Sequence, residues 1–147
     1  MQRLRVKNTR RVTFPLLRQK GRGALLFGEE KKDIPFPVKR FYVISHVSDP
    51  QSVRGDHAHK RLRQIMLCLS GSCRLSLDDG RVKQTIVLKA SGQGIWIGSG
   101  VWRTLKGFSP DCVVLVITDA PYRESDYIRD YQDFLDFAGR RGRGKRL

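Results

Sequence analysis

A succession of short apolar segments separated by turn residues is the feature that most constrains the fold. Residues 65–69 (IMLCL) form an apolar run that ends at once in Ser70-Gly71, which favours a short buried strand over a helix. The next segment, residues 73–77, alternates between apolar and polar side chains, and the Asp79-Gly80 dipeptide that follows predicts a hairpin to residues 82–88. Many short strands between turns predict an all-β protein, a closed or sandwiched antiparallel barrel.

Further strands are expected along the rest of the chain, and one helix at its end. The additional strands are predicted at residues 12–17, 24–27, 40–47, 95–97, 102–105 and 112–118. Two prolines exclude a central strand from the loop at residues 31–37. Apolar residues recur at helical spacing from Ile128 to Ala138, with Ser125 as a plausible N-cap and Asp126 near the helix N-terminus. We therefore predict one C-terminal helix that packs against the barrel.

Two of the three histidines lie in residues 54–60 (RGDHAHK), just before the apolar run. Side chains on a strand alternate between its faces, so His57 and His59 on a strand would point to one face, roughly 7 Å apart along the backbone. Such a pair suits three uses: metal ligation, proton transfer, or polar surface. The spacing alone does not choose among them.

The charge of the chain is concentrated at its two ends. The formal net charge is +15, but residues 1–23 carry eight basic residues without an acid and residues 139–147 carry five. Residues 24–138 have a balance of only +2. Basic ends can attract RNA or anionic lipid, yet no aromatic residues interleave with the C-terminal tail to stack on bases. We therefore expect solvated tails, and neither a nucleic-acid partner nor a membrane.

Length and cysteine usage indicate a single domain in a reducing compartment. A chain of 147 residues suits one domain with one core. No stretch is long and apolar enough to span a membrane, and no apolar run of signal-peptide length follows the basic N-terminus. Cys68, Cys73 and Cys112 lie in apolar segments without metal-ligand spacing, as small core residues of a cytoplasmic protein do.

Two segments resemble the metal-binding motifs of cupin barrels in altered form. Gln64 stands where the first motif has a glutamate ligand. In residues 98–103 (GSGVWR), Gly98 replaces the usual proline of the second motif and Arg103 replaces its last histidine ligand. An amide is a poor ligand for a divalent metal, and a guanidinium has no free lone pair. We predict a cupin pocket without a metal, which leaves proton transfer as the functional use of the histidines.

Motifs in a fixed order between about residue 22 and residue 135 resemble one particular family. They are Arg22-Gly23, Pro35-Phe36, Lys39-Arg40, the segment at residues 54–60, Gly71-Ser72, Asp78-Asp79-Gly80, Trp102, Phe108-Ser109 and residues 122–131 (YRESDYIRDY). Together they resemble the WxcM-like sugar 3,4-ketoisomerases, cupin enzymes that act on dTDP-4-keto-6-deoxyglucose. The resemblance implies an RmlC-like jelly-roll barrel with one C-terminal helix, no cofactor, and a homodimer. It also implies a cupin ketoisomerase domain at residues 22–138 between a basic lead-in at 1–21 and a basic tail at 139–147.

The same resemblance implies roles for the candidate site residues. It makes His57 the base and His59 its partner in proton transfer or substrate orientation, although the residues alone leave the two roles interchangeable. Imidazole suits this chemistry because its pKa lies near neutrality. The expected substrate-binding residues are Arg54 first and Arg40 second for the diphosphate, and Gln64 for a hydroxyl or a histidine. Tyr42 and Trp102 are expected to line the pocket or stack on a ring, with a plain core role as the equal alternative for Trp102. Arg103 is expected at the enediolate oxygen, provided that it turns inward.

Two other functions fit the residues less well. A related cupin epimerase would use the same enolisation but return the proton to the carbon that lost it. A non-catalytic binding module would use the basic ends and leave the histidines as polar barrel lining. The position of the product carbonyl separates the first from an isomerase, and salt-dependent RNA binding without turnover would identify the second.

Overall fold

The computed structural model describes residues 2–144, which form twelve strands, one α-helix and a short 3₁₀ turn at Glu124–Asp126. The strands are β1 (Thr9–Thr13), β2 (Leu16–Gln19), β3 (Gly23–Leu26), β4 (Arg40–Ile44), β5 (Arg54–His59), β6 (Gln64–Ser70), β7 (Ser72–Asp78), β8 (Lys83–Lys89), β9 (Gln93–Ile97), β10 (Trp102–Lys106), β11 (Val113–Thr118) and β12 (Tyr127–Ile128), and the helix is α1 (Tyr131–Arg143). Within these residues, no helix is long and apolar enough to cross a membrane.

Two antiparallel five-stranded sheets make up the barrel. Their strand orders are β1-β9-β6-β11-β4 and β12-β5-β10-β7-β8, and β2 and β3 form a separate hairpin. The main core lies between the sheets and takes inward side chains from both, such as Met66 from β6 and Leu75 from β7. The predicted all-β antiparallel barrel with one C-terminal helix is confirmed.

The apolar run at residues 65–69 is the central strand β6, which pairs with β9 on one side and β11 on the other. Met66 and Cys68 face the main core, whereas Ile65 and Leu67 face a second apolar cluster on the outside of the sheet. Phe36, from the proline-containing loop, covers this outer cluster. Because β6 is buried on both faces, its sequence is continuously apolar instead of alternating.

The predicted hairpin joins β7 to β8, in register from Ser72 opposite Lys89 to Asp78 opposite Lys83. Gly80 has a φ of 88°, which a residue with a side chain adopts at a cost. The Asp79 carboxylate accepts hydrogen bonds from the backbone N–H groups of Arg81 and Val82. The Asp79-Gly80 pair thus forms the hairpin turn that it predicted.

The first 21 residues are part of the barrel, unlike the lead-in expected from their charge. β1 pairs with β9 from Thr9 opposite Ile97 to Thr13 opposite Gln93. The single strand expected at residues 12–17 is two strands, because Pro15 separates β1 from β2 and has no N–H to donate. A boundary at residue 22 therefore does not match the edge of the folded unit.

The C-terminal helix begins later than predicted. Its N-cap is Asp130, whose side chain accepts a hydrogen bond from the N–H of Asp133, and not Ser125. Tyr127 and Ile128 instead pair with β5, which extends that sheet by one short strand. The helix continues to Arg143, into the predicted basic tail, of which residues 145–147 lie outside the described residues.

Candidate active site

The histidine pair lies on β5, with both imidazoles on its inner face as predicted. The Nε2 atoms of His57 and His59 are 3.1 Å apart, and the two residues are 8% and 2% exposed. Gly55 and Asp56, immediately before them, have φ values of 76° and 58°. The pairing of β5 with β10 shifts register at this point, and such an irregularity re-aims the side chains that follow it.

Arg103 and Gln64 form a buried polar pair beside the histidines. Arg103 lies opposite His57 on the neighbouring strand β10 and is completely buried. Its Nε and Nη2 atoms donate to the Val101 carbonyl at 3.1 and 2.8 Å, and its Nη1 donates to Gln64 Oε1. The Arg103 side chain therefore turns inward, the condition under which a role at the enediolate oxygen was expected.

The amide nitrogen of Gln64 is a buried donor beside the histidine pair. It is buried, and among the described residues it has no hydrogen-bond partner. The Tyr42 side chain lies nearby on β4, and burial raises the pKa of its hydroxyl. The Arg40 guanidinium stacks over the Tyr42 ring at 4.8 Å. Arg40, Tyr42, Gln64 and Arg103 are thus grouped near the histidine pair, and their substrate-binding roles stay a prediction.

Trp102 and Arg54 occupy other places than expected. Trp102 precedes Arg103 on β10, so its side chain points to the opposite face, where it packs under α1 against Tyr131 and Phe134 with ring centroids 5.2 and 5.6 Å away. Of the two roles expected for Trp102, its position matches the core role and not pocket lining. Arg54 is exposed and lines an open surface cleft of about 390 Å³ with residues 43–49.

Asp126 is a site residue that sequence analysis assigned to the helix N-terminus. Its Oδ2 lies 3.1 Å from His59 Nδ1, across 67 positions of the chain. The same carboxylate accepts the backbone N–H groups of Arg61 and Leu62 at 2.8 and 3.2 Å. Asp126 belongs to the motif at residues 122–131, and the pairing of β12 with β5 brings it to the imidazole.

Tyr127 is a second residue that the sequence analysis did not assign to the site. Its ring centroid lies 4.7 Å from that of His57 and 4.4 Å from that of His59. The Arg129 guanidinium covers the outer side of the Tyr127 ring at 4.2 Å and pairs with Glu124 at 2.7 Å. Tyr127 thus closes one side of the histidine pair and restricts how each ring can turn.

Burial and the nearby arginine keep both imidazoles uncharged. Burial first and the positive charge of Arg103 second lower the pKa of His57 to about 4, although the hydrogen bond between His57 and Gly55 opposes them. The pKa of His59 falls to about 2, again through burial first and Arg103 second. Burial also lowers the pKa of Arg103 to about 10, which leaves it cationic at neutral pH. The site combines neutral bases with a fixed cation.

The side chains around the pair do not form a metal cage. Within residues 2–144, no group of three or more His, Cys, Asp or Glu side chains is arranged to hold a metal ion. The two altered cupin positions, Gln64 and Arg103, are hydrogen-bonded to each other.

Comparison with protein-family models decides the family. The model of the WxcM-like C-terminal (FdtA) family matches residues 7–139. The chain belongs to the FdtA family. This confirms the resemblance inferred from the motifs, and it covers both β1 and most of α1.

Characterised relatives of this FdtA-family protein are sugar isomerases. It is 45% identical over 116 residues, 79% of this chain and 83% of the relative, to the TDP-4-oxo-6-deoxy-α-D-glucose-3,4-oxoisomerase of Aneurinibacillus thermoaerophilus. A variant of the 3,4-ketoisomerase QdtA from Thermoanaerobacterium thermosaccharolyticum, solved with TDP-4-keto-6-deoxyglucose, superposes with a TM-score of 0.89 at 37% identity. The superposition covers 93% of this chain and 98% of QdtA.

A more distant structure shares only the fold. The 3'-monoepimerase ChmJ from Streptomyces bikiniensis has a TM-score of 0.72 at 15% identity, over 86% of this chain and 71% of ChmJ. Together with the two sheets described above, these likenesses confirm the RmlC-like cupin jelly roll.

Proposed function

We propose that this protein is an intramolecular oxidoreductase that converts dTDP-4-keto-6-deoxyglucose into a dTDP-3-keto-6-deoxyhexose for deoxyaminosugar biosynthesis. The observation that carries the proposal is the buried, uncharged His57–His59 pair beside the Arg103 cation. Its context is a chain 45% identical to a 3,4-oxoisomerase and similar in structure to a ketoisomerase solved with this nucleotide sugar.

The reaction needs a base that is free at neutral pH and a way to hold negative charge on oxygen. A base removes the proton from C3, the electrons of that bond form a C3=C4 double bond, and the C4 carbonyl oxygen takes the negative charge. In the second half of the reaction, C4 receives a proton and the C3 carbonyl forms. O3 loses its proton in this step, and O4 gains one. The sugar thus isomerises without an external oxidant or reductant, so no cofactor is required.

His57 is our candidate for the base and His59 for its partner. A neutral imidazole accepts a proton without first losing one, and pKa values lowered to about 4 and about 2 favour the neutral form at pH 7. His57 is the more exposed of the two, at 8% against 2%, so an incoming sugar meets it first. Its Nε2 would take the C3 proton.

Arg103, Gln64 and Tyr42 are proposed to bind the reacting oxygens. A buried cation stabilises an enediolate more strongly than an exposed one, because little water screens it. The buried amide nitrogen of Gln64 lies near the Tyr42 side chain and has no close hydrogen-bond partner within the described residues, so it is placed to donate to a substrate oxygen. A sugar oxygen is the acceptor that the proposed reaction supplies.

For the diphosphate we propose Arg40 first and Arg54 second. A guanidinium suits a phosphate group because its planar fork of N–H donors forms paired hydrogen bonds with two phosphate oxygens. The Arg40 guanidinium stands over the Tyr42 ring at 4.8 Å and the Tyr122 ring at 5.5 Å, near enough to His59 for its charge to lower the pKa of that imidazole. Arg54, exposed in its own cleft, could bind only a part of the nucleotide that extends that far.

We further propose that the protein is a cytoplasmic homodimer. Phe41 and Val43 on β4 are 68% and 50% exposed, and β4 is an edge strand of its sheet among the described residues. An exposed apolar edge of this kind is typically covered by another chain. The three buried cysteines are free thiols, which suits a reducing compartment.

The proposal is tested by incubating the purified protein with dTDP-4-keto-6-deoxyglucose in deuterated buffer and following the sugar by proton NMR. We expect a 3-keto product with deuterium at C4. Exchange of the C3 proton without movement of the carbonyl would indicate an epimerase instead. Complete absence of exchange and of product would contradict any enolisation at this site.

A further inference from the structure

Asp126 makes three hydrogen bonds that together fix its role at the site. Its Oδ1 accepts the N–H of Arg61 at 2.8 Å, and its Oδ2 accepts the N–H of Leu62 at 3.2 Å. Both donors belong to the turn between β5 and β6. The remaining contact, at 3.1 Å from Oδ2, is to Nδ1 of His59. A carboxylate that holds two N–H donors is an acceptor, so His59 carries a hydrogen on Nδ1.

The partner of His57 fixes the second ring in the same way. His57 Nδ1 lies 2.8 Å from the carbonyl oxygen of Gly55, which can only accept. His57 therefore also carries its hydrogen on Nδ1. A neutral imidazole has a single N–H, so both Nε2 atoms are bare in the uncharged pair. They lie 3.1 Å apart, which means that two lone pairs face each other with room for one proton between them.

We propose that Asp126 is a positioning residue, which holds the hydrogen of His59 on Nδ1 so that the substrate's C3 proton is received between the two bare Nε2 atoms. This inference rests on the proposed isomerase function and deepens it. It assigns the two histidines a joint task, and it explains why they are kept so close together.

The proton balance of this step is simple. The C3–H bond breaks, its electron pair becomes the C3=C4 double bond, and the proton binds one Nε2 while the other Nε2 accepts a hydrogen bond from it. The imidazole pair gains one positive charge next to the Asp126 carboxylate, and O4 gains one negative charge next to Arg103. The pair then delivers a proton to C4, either the one received from C3 or one exchanged with solvent, while O3 loses its proton as the C3 carbonyl forms and O4 gains one, so the pair returns to its neutral form.

The charges around the pair make the contribution of Asp126 specific. The groups that face the histidines are Arg40 and Tyr42 from β4, Asp56 from β5 itself, Arg103 from β10, and Glu124, Asp126, Tyr127 and Arg129 from the segment before α1. The three arginines oppose a positive charge on the pair. Asp126 is the carboxylate in direct contact with an imidazole nitrogen, so it is placed to stabilise the protonated pair.

The test is the pH profile of Asp126→Asn with Asp119→Asn as its matched control. Asp119 ties the same turn, since its carboxylate accepts the N–H of Arg63 at 3.0 Å, but it contacts Arg63 and not a histidine. In Asp126→Asn we expect kcat to fall about 100-fold or more, with a much smaller change in KM. The acid limb of kcat/KM should move to lower pH, because loss of the anion lowers the pKa of the pair. Asp119→Asn should keep the wild-type limb.

Two results would overturn the proposal. One is that Asp126→Asn keeps the acid limb of the wild-type kcat/KM profile, or that Asp119→Asn loses as much kcat as Asp126→Asn does. The other comes from the wild-type protein alone, and so does not depend on how the variant folds: ¹⁵N NMR of His59 should report a hydrogen on Nδ1 and a bare Nε2, and the opposite tautomer would contradict the role of Asp126. Carbonyl migration by the wild-type enzyme tests the proposed function separately, so either idea can fail alone.

Discussion

The two ends of the barrel interior are built from the same strands but contain opposite chemistry. Along the inner face of β6, Gln64 is followed by Met66 and Cys68, and along that of β10, Arg103 is followed by Leu105. All five are buried. A step of two residues on each strand therefore leads from a charged, hydrogen-bonded site to an apolar core.

Burial has the same physical effect at both ends and different consequences. It raises the pKa of the Cys68 thiol to about 12 and lowers the pKa of His57 to about 4. In each case the low-polarity interior favours the neutral form. A neutral thiol is a poor nucleophile and packs as a small apolar group, whereas a neutral imidazole is a base. The polar end is thus specialised for chemistry, and the apolar end for stability.

The largest effect that separates the two ends is expected for His57→Asn. Removal of the proposed base should lower kcat by about 100- to 10,000-fold, while nucleotide binding and the fold are retained. The matched control is His46→Asn, which removes an exposed histidine at a φ of 59° where asparagine is well tolerated. Steady-state kinetics and TDP binding measure the difference, and near-normal turnover in His57→Asn would place the base elsewhere.

The next largest effect is expected for Arg103→Met. Loss of the buried cation should reduce kcat by about 100- to 1,000-fold, as removal of an oxyanion-stabilising donor does. It should also move the acid limb of kcat/KM to higher pH, because Arg103 lowers the pKa of both histidines. Arg63→Met, which removes an exposed arginine paired with Asp119, is the control. An unmoved acid limb would show that Arg103 does not control the charge of the pair.

At the apolar end, Leu75→Ala should affect stability and leave the chemistry intact. Leu75 is fully buried in the main core, and truncation of such a leucine costs about 2–5 kcal/mol of unfolding free energy. Urea unfolding measures this loss, and the pH profile of the folded enzyme should match the wild type. A changed profile would mean that the two ends are not independent.

A smaller effect is expected from acidification of the wild-type protein. Both histidines have folded-state pKa values below the unfolded value of 6.5, so below pH 6.5 the unfolded chain binds more protons than the folded one. The free energy of unfolding should therefore decrease as the pH is lowered, by about 2 kcal/mol per histidine between pH 6.5 and pH 5. When the free energy of unfolding is measured with urea across this range, its dependence on pH should be weaker in His57→Asn than in the wild type. An equal dependence on pH in both proteins would contradict the neutral pair.

The apolar end could be predicted from sequence because periodicity and turn residues report it locally. The run that became β6 and the Asp79-Gly80 turn of β7 and β8 are examples. The histidine pair followed from strand alternation, whereas the inward direction of Arg103 was only the condition for its expected role. Each of these signals lies within a few residues of the feature that it predicts.

The residues that were missed depend on contacts between distant parts of the chain. Asp126 reaches His59 across 67 positions, and Tyr127 reaches both rings only because β12 joins β5. Ser125 and Asp130 are both acceptable N-caps by residue type, so the sequence alone does not choose between them. The choice of Ser125 assigned Asp126 and Tyr127 to the helix and not to the site. Trp102 was assigned to the pocket together with Arg103, but neighbouring residues on a strand point to opposite faces, so only one of the two can face the histidines.

The measurement that tests the account most directly is the titration of the imidazole nitrogens by ¹⁵N NMR in the free wild-type enzyme. The account predicts that His57 and His59 are neutral at pH 7 and remain so to below pH 5. If His57 and His59 instead gain a proton near pH 6.5, as a solvent-exposed imidazole does, the pair is not the neutral base that the proposed isomerisation requires.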